Sequence, residues 1–175
     1  FPPRADPRSF RGYGVAALYF AATELRKQNR AVVTAIGGRS ADDILFAEQM
    51  QSIGAQVAIA TEDGSRGTPG FVTDAARNYL ESTSSILACG PEAMLVAVMR
   101  QVNAKNIPAQ LSVERYMKCG FGICGQCTLN GKLVCQDGPI FSAKELAQLP
   151  EFGRVHRDAS GAVHFFQGRG ARRNQ

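Results

Sequence analysis

Four cysteines in the second half of the chain are the residues best suited by type and spacing to do chemistry. They follow the pattern Cys119-x4-Cys124-x2-Cys127, and Cys135 comes after seven further residues. This is the spacing of the plant-type [2Fe–2S] site, in which one loop wraps the cluster and the fourth thiolate comes from a neighbouring element. Glycines at 120, 122 and 125 suit a loop that must take unusual dihedrals and point N–H groups at sulfur. The spacing therefore predicts a cluster that passes electrons one at a time.

A single zinc ion is the main alternative metal that four thiolates could bind. Zinc sites usually present two short C-x2–4-C hairpins, whereas three of these cysteines share one glycine-rich loop. A disulfide framework is disfavoured because the chain has five cysteines, an odd number, and four of them cluster tightly. The pattern indicates a metal centre in a reducing compartment, and a zinc-stabilised interaction module stays open as a third class of function.

Two turns earlier in the chain have the composition of a nucleotide-binding site. Gly12, Gly14 and Ala16 lead into a helix whose N-terminus could hold a pyrophosphate. Cys89 and Gly90–Pro91 stand between a predicted strand and a predicted helix, at the crevice where open α/β sheets bind ligands. The alternative for this second turn is a plain strand-to-helix connection with a buried cysteine.

Two polar loops follow predicted strands on the same half of the chain. Arg39 and Ser40 come where a dinucleotide fold holds a ribose 2′-hydroxyl or 2′-phosphate, although an exposed arginine and a helix N-cap would explain them equally well. Asp63, Gly64 and Ser65 could contact a ribose or simply form a turn. We expect these residues to contribute to cofactor binding.

The elements that must position these residues alternate between helical and strand patterns, which indicates a parallel sheet covered by helices on both faces. The predicted helices cover 15–28, 40–52, 71–80 and 92–105, and the predicted strands cover 31–36, 56–60, 85–88 and 109–113. Asn130–Gly131, between two short strand-like runs, predicts a tight hairpin that returns the chain to Cys135. An apolar strand normally precedes the first glycine loop, but the prolines and charges of 3–11 exclude one there. We therefore expect either an earlier strand or an atypical end.

Composition narrows the classes of function. Hydrophobic residues make up 45% and charged residues 20% of the chain, which is ordinary globular usage, and no apolar run approaches a membrane span. The net charge of +5 is spread along the chain apart from a terminal arginine cluster, and no aromatic residues interleave with it as on a nucleic-acid surface. We expect no nucleic acid and no membrane span. His156 and His164 are expected to be solvated.

With these motifs in order, the chain resembles the electron-transfer subunits of dihydroorotate dehydrogenase, which are members of the ferredoxin-reductase superfamily. The resemblance covers most of residues 12–155. The segments that carry it are Gly12–Phe20, Thr61–Ser65, Gly70–Thr73, Cys89–Leu95, Ser112–Arg115, the cysteine loop and Asp137–Phe141. It implies an NAD-binding-like α/β domain at 1–110 with its first strand missing, a [2Fe–2S] domain at 111–155 and a basic tail at 156–175.

The resemblance also implies cofactors and partners. Cys89 would lie near nicotinamide and flavin, and Gly12, Gly14 and Ala16 near the pyrophosphate. The family's FAD-binding barrel has no counterpart in this sequence, so FAD and NAD are expected in the complete assembly. An FMN-containing catalytic subunit would be the partner in a cytoplasmic hetero-oligomer of pyrimidine biosynthesis. The alternatives are a flavin and iron–sulfur subunit of a hydrogenase or sulfide dehydrogenase, and a pure electron carrier with a degenerate nucleotide domain.

Overall fold

The computed structural model of the chain describes residues 14–166. Gly12 lies outside this range, as do the residues before it, where the sequence raised the question of an earlier strand. The last nine positions of the predicted tail also lie outside it. Among the helices of the described part, none combines the length and the apolar character that crossing a membrane requires.

Helices and strands alternate through most of the described chain, as the sequence pattern predicts. Short 3₁₀ turns lie at Ala41–Asp43 and Arg77–Ser82. The other elements, in chain order, are α1 (Gly14–Lys27), β1 (Val33–Gly38), α2 (Ala47–Ser52), β2 (Gln56–Thr61), β3 (Thr68–Pro69), α3 (Val72–Ala76), β4 (Ile86–Cys89), α4 (Glu92–Ala104), β5 (Ala109–Ser112), β6 (Thr128–Leu129), β7 (Lys132–Leu133), α5 (Val134–Asp137), β8 (Ile140–Ser142), α6 (Ala143–Leu146), β9 (Val155–Arg157) and β10 (Val163–Phe165).

The first sheet contains β1, β2 and β3 in that order, and its strands are parallel. Val33 pairs with Gln56 at one end of the register, and Gly38 pairs with Thr61 at the other. Parallel strands bring their carboxyl ends to one edge, so the loops that follow β1 and β2 lie side by side. Apolar side chains from α1, β1, α2 and their connections form a hydrophobic core that stabilises this half of the molecule. The buried members are Val15, Ala22, Ile36, Ile44, Ala47, Met50 and Ala55.

The second sheet contains β4, β5 and β8. β4 and β5 are parallel, with Ile86 opposite Ala109, whereas β8 is antiparallel and places Phe141 opposite Leu111. α1 packs against β4 as well as against the first core, and so connects the two sheets. The α/β fold with parallel strands is confirmed. Within residues 14–166 the parallel strands nevertheless fall into two separate sheets, because no described strand lies between β1 and β4.

One hydrophobic core extends across position 110, where the sequence suggested a boundary between two domains. α4, β4 and β5 contribute buried side chains from the first side, and the cysteine-containing segment contributes them from the other. Leu95 and Phe141 are each 1% exposed, and Leu111, Leu129 and Val134 are completely buried. The cysteine-containing segment is therefore packed directly onto the end of the α/β unit.

The helix predicted over 40–52 is interrupted, which corrects the sequence interpretation. The chain makes one 3₁₀ turn at Ala41–Asp43, and α2 begins only after Phe46, whose φ of 61° is left-handed. The Asp43 carboxylate accepts a hydrogen bond from the backbone N–H of Arg39 at 3.1 Å. This bond stabilises a local turn rather than a continuous helix. A local side-chain bond of this kind competes with helix propagation.

Residues 155–165 form an antiparallel hairpin, within a segment for which the sequence indicated a basic tail. Val163 pairs with Arg157, and Phe165 pairs with Val155. The turn is fixed by Asp158, whose Oδ1 accepts the N–H groups of Ser160 at 2.8 Å and Ala162 at 3.2 Å. An aspartate that accepts hydrogen bonds from the backbone of its own turn stabilises this short hairpin. The hairpin therefore needs no long apolar run, which is the signal that sequence analysis would recognise.

Candidate functional site

The first two cysteines of the motif lie in the irregular connection between β5 and β6. The backbone N–H of Cys124 donates to the Sγ of Cys119 at 3.5 Å. This bond, helped by the N–H groups of Phe121 and Ile123, lowers the pKa of Cys119 from 9.0 to about 6. Gly122 has a φ of 86°, a left-handed conformation that residues with side chains rarely adopt. The loop therefore favours the thiolate, which is the form that binds a metal.

The last two cysteines form a second pair. The N–H of Cys135 donates to the Sγ of Cys127 at 3.4 Å. The pKa of Cys135 is raised, first by its thiol hydrogen bond to Cys127 and then by burial. Cys127 is 3% exposed whereas Cys124 is exposed. One pair thus lies at the edge of the hydrophobic core and the other at the surface.

The β6–β7 hairpin brings the fourth cysteine back to the third. Asn130 and Gly131 have φ values of 48° and 85°, as a two-residue primed turn requires, and the predicted hairpin is confirmed. Leu129 pairs with Lys132, and α5 begins at Val134, so Cys135 lies in the first turn of this helix. The hairpin and α5 together explain how Cys135 reaches Cys127.

The donor set fits a two-iron cluster. Such a cluster needs four thiolates in two pairs, and it needs N–H groups directed at the sulfurs. The structure provides the pairs Cys119 with Cys124 and Cys127 with Cys135, each joined by a backbone N–H to sulfur bond. Across residues 14–166, no three His, Cys, Asp or Glu side chains are gathered closely enough to hold a single metal ion.

Several predicted nucleotide contacts meet at the carboxyl edge of the first sheet. The Asp63 N–H donates to the carbonyl of Arg39 at 3.0 Å, and the Ala41 N–H donates to Ser65 Oγ at 2.7 Å. Asp63 Oδ1 accepts both the N–H and the hydroxyl of Ser65, which lowers the pKa of Asp63. Gly64, at a φ of 73°, allows the turn between them. The loops after β1 and β2 are thus linked to each other.

The start of α1 lies against the end of β4. A Cβ added to Gly14 would stand 2.2 Å from the carbonyl oxygen of Cys89, so only glycine permits this approach. Ala16 is exposed on the first turn of α1. Gly90 has a φ of 157°, and Pro91 takes the N-cap position of α4. The structure therefore brings the two predicted glycine turns together, although they are 75 positions apart in the sequence.

Cys89 itself is half-buried at the carboxyl end of β4. Burial raises the pKa of this thiol, and a hydrogen bond with the Ser112 side chain partly opposes the effect. A thiol held protonated at this edge can pack against or hydrogen-bond a ligand, but it is a poor nucleophile.

A cavity of about 630 Å³ opens where β4 and β5 end, and sequence reasoning did not single out most of its lining. Gly90 lies on one side, and the residues that lead from β5 towards the cysteine loop lie on another. Glu92 and Leu95 of α4, the C-terminal hairpin and Phe166 supply the rest. The cavity therefore connects the predicted nucleotide turn with the approach to the cluster loop.

A buried ion pair lines this cavity. Arg115 donates to both carboxylate oxygens of Glu92, and the distance from its Nη2 to Oε1 is 3.0 Å. The two side chains are only 3% and 9% exposed, and the Gly153 N–H also donates to Glu92. Bidentate geometry and the extra donor offset the cost of burying both charges. Both residues belong to the motif segments, but only the fold reveals that they meet.

His156 is packed rather than solvated, contrary to the expectation from sequence. Its ring lies 5.6 Å from the His164 ring and 4.7 Å from the Phe166 ring. His164 in turn contacts Asp158 through Nε2 at 2.7 Å. The hairpin register, with His156 opposite His164, creates these contacts, and a sequence without strand assignments gives no sign of them.

The cysteine segment and its relatives define the class of this protein. Residues 114–147 match the family model described as the iron–sulfur cluster binding domain of dihydroorotate dehydrogenase B, and this match includes all four cysteines. A solved structure of NADH-dependent reduced ferredoxin-NADP oxidoreductase, reported for flavin-based electron bifurcation, aligns with a TM-score of 0.66 and 29% identity. The alignment covers 77% of this chain and 50% of that one. The chain is therefore an α/β protein with an iron–sulfur cluster binding domain.

Curated relatives make the relationship specific. The chain is 42% identical over 159 residues to a probable dihydroorotate dehydrogenase B (NAD(+)) electron transfer subunit of Methanocaldococcus jannaschii, and 41% identical over 152 residues to one of Methanothermobacter thermautotrophicus. These alignments cover 89% and 86% of this chain, and 62% and 57% of the relatives. The chain is a homologue of dihydroorotate dehydrogenase B electron transfer subunits, which confirms the resemblance, and it spans about six tenths of their length.

Proposed function

We propose that this chain relays electrons through a [2Fe–2S] cluster as part of an electron-transfer subunit of an NAD-dependent dihydroorotate dehydrogenase. The other side of the relay is an FMN-containing catalytic subunit that oxidises dihydroorotate. The observation that carries this proposal is the arrangement of four cysteines in two pairs within the segment that matches the cluster-binding family. The names of the curated relatives support the reaction and the partner.

The protein's own residues have two separate tasks in this proposal. Cys119 and Cys124 would hold one iron, and Cys127 and Cys135 the other, with the Cys124 and Cys135 N–H groups bonded to ligand sulfurs. A bound [2Fe–2S] cluster supplies one-electron transfer between two-electron redox partners. Cys124 is exposed and available for exchange with a partner, whereas Cys127 is buried in the core that also contains Leu95 and Val113, two residues of the cavity wall.

The carboxyl edge of the parallel strands would hold the dinucleotide. The linked loops with Arg39 and with Asp63, Gly64 and Ser65 are suited to a ribose, since both stand after parallel strands. Gly14, Ala16 and the turn at Cys89, Gly90 and Pro91 are suited to the pyrophosphate and nicotinamide end. We place NAD here, with FAD in the complete assembly and the cytoplasm as the compartment, because free thiolate ligands require reducing conditions.

A second function is favoured by one specific observation. The solved structural relative is a reduced ferredoxin-NADP oxidoreductase, so a subunit that serves another flavin and iron–sulfur enzyme, such as a hydrogenase or sulfide dehydrogenase, has the same fold support. Identifying the protein that co-purifies with the natural full-length chain separates the two. An FMN protein with dihydroorotate activity supports the first function, and a hydrogenase or ferredoxin-linked partner supports the second.

The decisive experiment is anaerobic purification followed by analysis of iron, sulfide, zinc and flavin together with the visible spectrum. About two irons and two sulfides per chain are expected for one [2Fe–2S] cluster. Dihydroorotate plus the catalytic subunit should then bleach the spectrum, and NAD should restore it only in the complete assembly, where FAD converts single electrons into a hydride. A colourless protein that retains zinc would contradict the proposal and establish a zinc-stabilised module instead.

A further inference from the structure

The residues on either side of Cys127 are both held by the C-terminal hairpin. Gln126, which precedes Cys127, donates through its side-chain amide to the carbonyl of Asp158. Thr128, which follows it, accepts a hydrogen bond at its carbonyl from Arg157 Nη1 at 3.1 Å. These two bonds join residues that are 32 and 29 positions apart, so they fix the cluster loop from outside its own segment.

The hairpin is well ordered by its own contacts. Asp158 Oδ1 accepts the N–H and the hydroxyl of Ser160, and Oδ2 contacts His164 Nε2 at 2.7 Å. The His156 ring packs between the rings of His164 and Phe166. The Asp158 carbonyl and the Arg157 side chain are therefore presented from a rigid support rather than from a loose tail.

Arg157 also reaches the hairpin that returns Cys135. Its Nη1 lies 3.7 Å from Glu151 Oε2, and the same carboxylate oxygen accepts the N–H of Asn130 at 3.0 Å. The Arg157 side chain is 22% exposed, so its charge is partly shielded from solvent. A single arginine thus links the segments that carry the third and fourth cysteines.

We propose that the β9–β10 hairpin positions the cluster loop, with Gln126 and Arg157 as positioning residues for the [2Fe–2S] centre. This inference rests on the proposed function. Residues that orient metal ligands set the geometry, the hydrogen bonding to sulfur and the retention of the metal group, and the cluster's electronic properties follow from these. The guanidinium adds a positive charge beside the carbonyl that follows Cys127, which favours the reduced, more negative cluster.

The test compares four variants of anaerobically purified protein, namely Arg157→Ala, Arg157→Lys, Gln126→Ala and the control Arg154→Ala. Arg154 lies in the same segment, but its side chain is exposed. Arg157→Ala and Gln126→Ala should lose the cluster to a chelator roughly 10-fold faster. Both should show altered g-values in the electron paramagnetic resonance spectrum of the reduced cluster, and Arg157→Ala should have a lower midpoint potential. Arg157→Lys should give an intermediate result, and Arg154→Ala should match the unaltered protein.

The outcomes separate this inference from the proposed function. Unaltered protein without iron and sulfide would overturn both. The positioning role alone would be overturned if the unaltered protein has a full cluster and the folded variants Gln126→Ala and Arg157→Ala show the same spectra, midpoint potential and rate of cluster loss. If Arg157→Ala fails to fold by circular dichroism, Gln126→Ala decides, because it removes only the loop's own side of the contact. Faster amide hydrogen exchange at 124–128 in that variant supports the inference independently of enzyme activity.

Discussion

The loops at the carboxyl edge of the first sheet and the cluster loop are both built from exposed turns, but different contacts hold them. At the edge of the first sheet the predicted site residues bind one another, as when Asp63 accepts from Ser65 and Ser65 accepts from the turn after β1. In the cluster loop the backbone donors face thiol sulfurs instead. The edge therefore keeps its shape through contacts among its own residues, whereas the cluster loop is held by backbone bonds to sulfur and by bonds from the C-terminal hairpin.

The thiols of the two regions also differ, in the direction in which their pKa values are shifted. Burial raises the pKa of Cys89 at the end of β4. Backbone N–H groups, that of Cys124 foremost, lower the pKa of Cys119 to about 6. The environment of Cys89 keeps its thiol neutral, whereas that of Cys119 favours the thiolate, which is the form that binds a metal. Cys89 and Cys119, which look alike in the sequence, thus differ in chemical character.

The strongest test of this difference replaces one cysteine in each region. Cys124→Ser should abolish cluster binding, because an alcohol is a far poorer iron ligand than a thiolate, and electron transfer to the partner flavin should be lost with it. Iron and sulfide analysis and the visible spectrum measure the result. Cys89→Ser is the matched control and should retain about two irons per chain. A stable cluster in folded Cys124→Ser would contradict the assignment of the ligands.

A second test concerns the buried ion pair between the two regions. Glu92→Ala leaves the Arg115 charge buried without its carboxylate, and we expect the free energy of unfolding to fall by about 3–5 kcal/mol. Anaerobic urea denaturation measures this loss. Glu81→Ala, which removes a pair whose side chains are 39% and 80% exposed, should cost less than about 1 kcal/mol.

The double variant Glu92→Met with Arg115→Met sharpens the same comparison. Apolar side chains of similar size fill the site without an unpaired charge, so most of the lost stability should return. Equal destabilisation in Glu92→Ala and Glu81→Ala would mean that burial of the pair has no energetic consequence.

Much of this organisation could be predicted from local sequence, because its signals are local. The cysteine spacing and the Asn130–Gly131 turn each specify geometry within a few residues, and the apolar periodicity located most helices and strands. The loops at Arg39 and Asp63 were each singled out from the sequence, and they meet in the structure because both follow neighbouring parallel strands.

Features that depend on long-range contacts could not be predicted. The pair of Glu92 with Arg115 spans 23 positions, and the bond from Gln126 to Asp158 spans 32. The break before α2 arose from one carboxylate that binds backbone, which helical periodicity does not register. The hairpin around His156 was missed for the related reason that its turn is held by polar bonds and its strands are only three residues long.

A third test addresses the close approach of α1 to the end of β4. Gly14→Ala should lower stability by about 2 kcal/mol, because the new Cβ would stand 2.2 Å from the Cys89 carbonyl oxygen. Helix propensity alone would favour alanine by about 1 kcal/mol, so the sign of the change distinguishes the two effects. Ala16→Ser, on an exposed position of the same helical turn, should stay within about 0.5 kcal/mol. Stabilisation of Gly14→Ala would show that the helix and strand can separate freely.

The smallest expected effect is a pH dependence confined to cluster-free protein. A pKa of about 6 for Cys119 means that its alkylation by iodoacetamide should increase through pH 6 and be nearly complete at pH 7.5, while Cys89, whose pKa is raised by burial, should react only at higher pH. Peptide mapping by mass spectrometry measures both sites in one sample. Because the folded pKa lies below the ordinary value of 9.0, the thiolate stabilises the loop fully above pH 9, and this contribution is lost as the pH falls through 6. Equal reaction midpoints for Cys119 and Cys89 would show that the backbone donors of the loop do not act on the sulfur, and the contrast between the two regions would then rest on position alone.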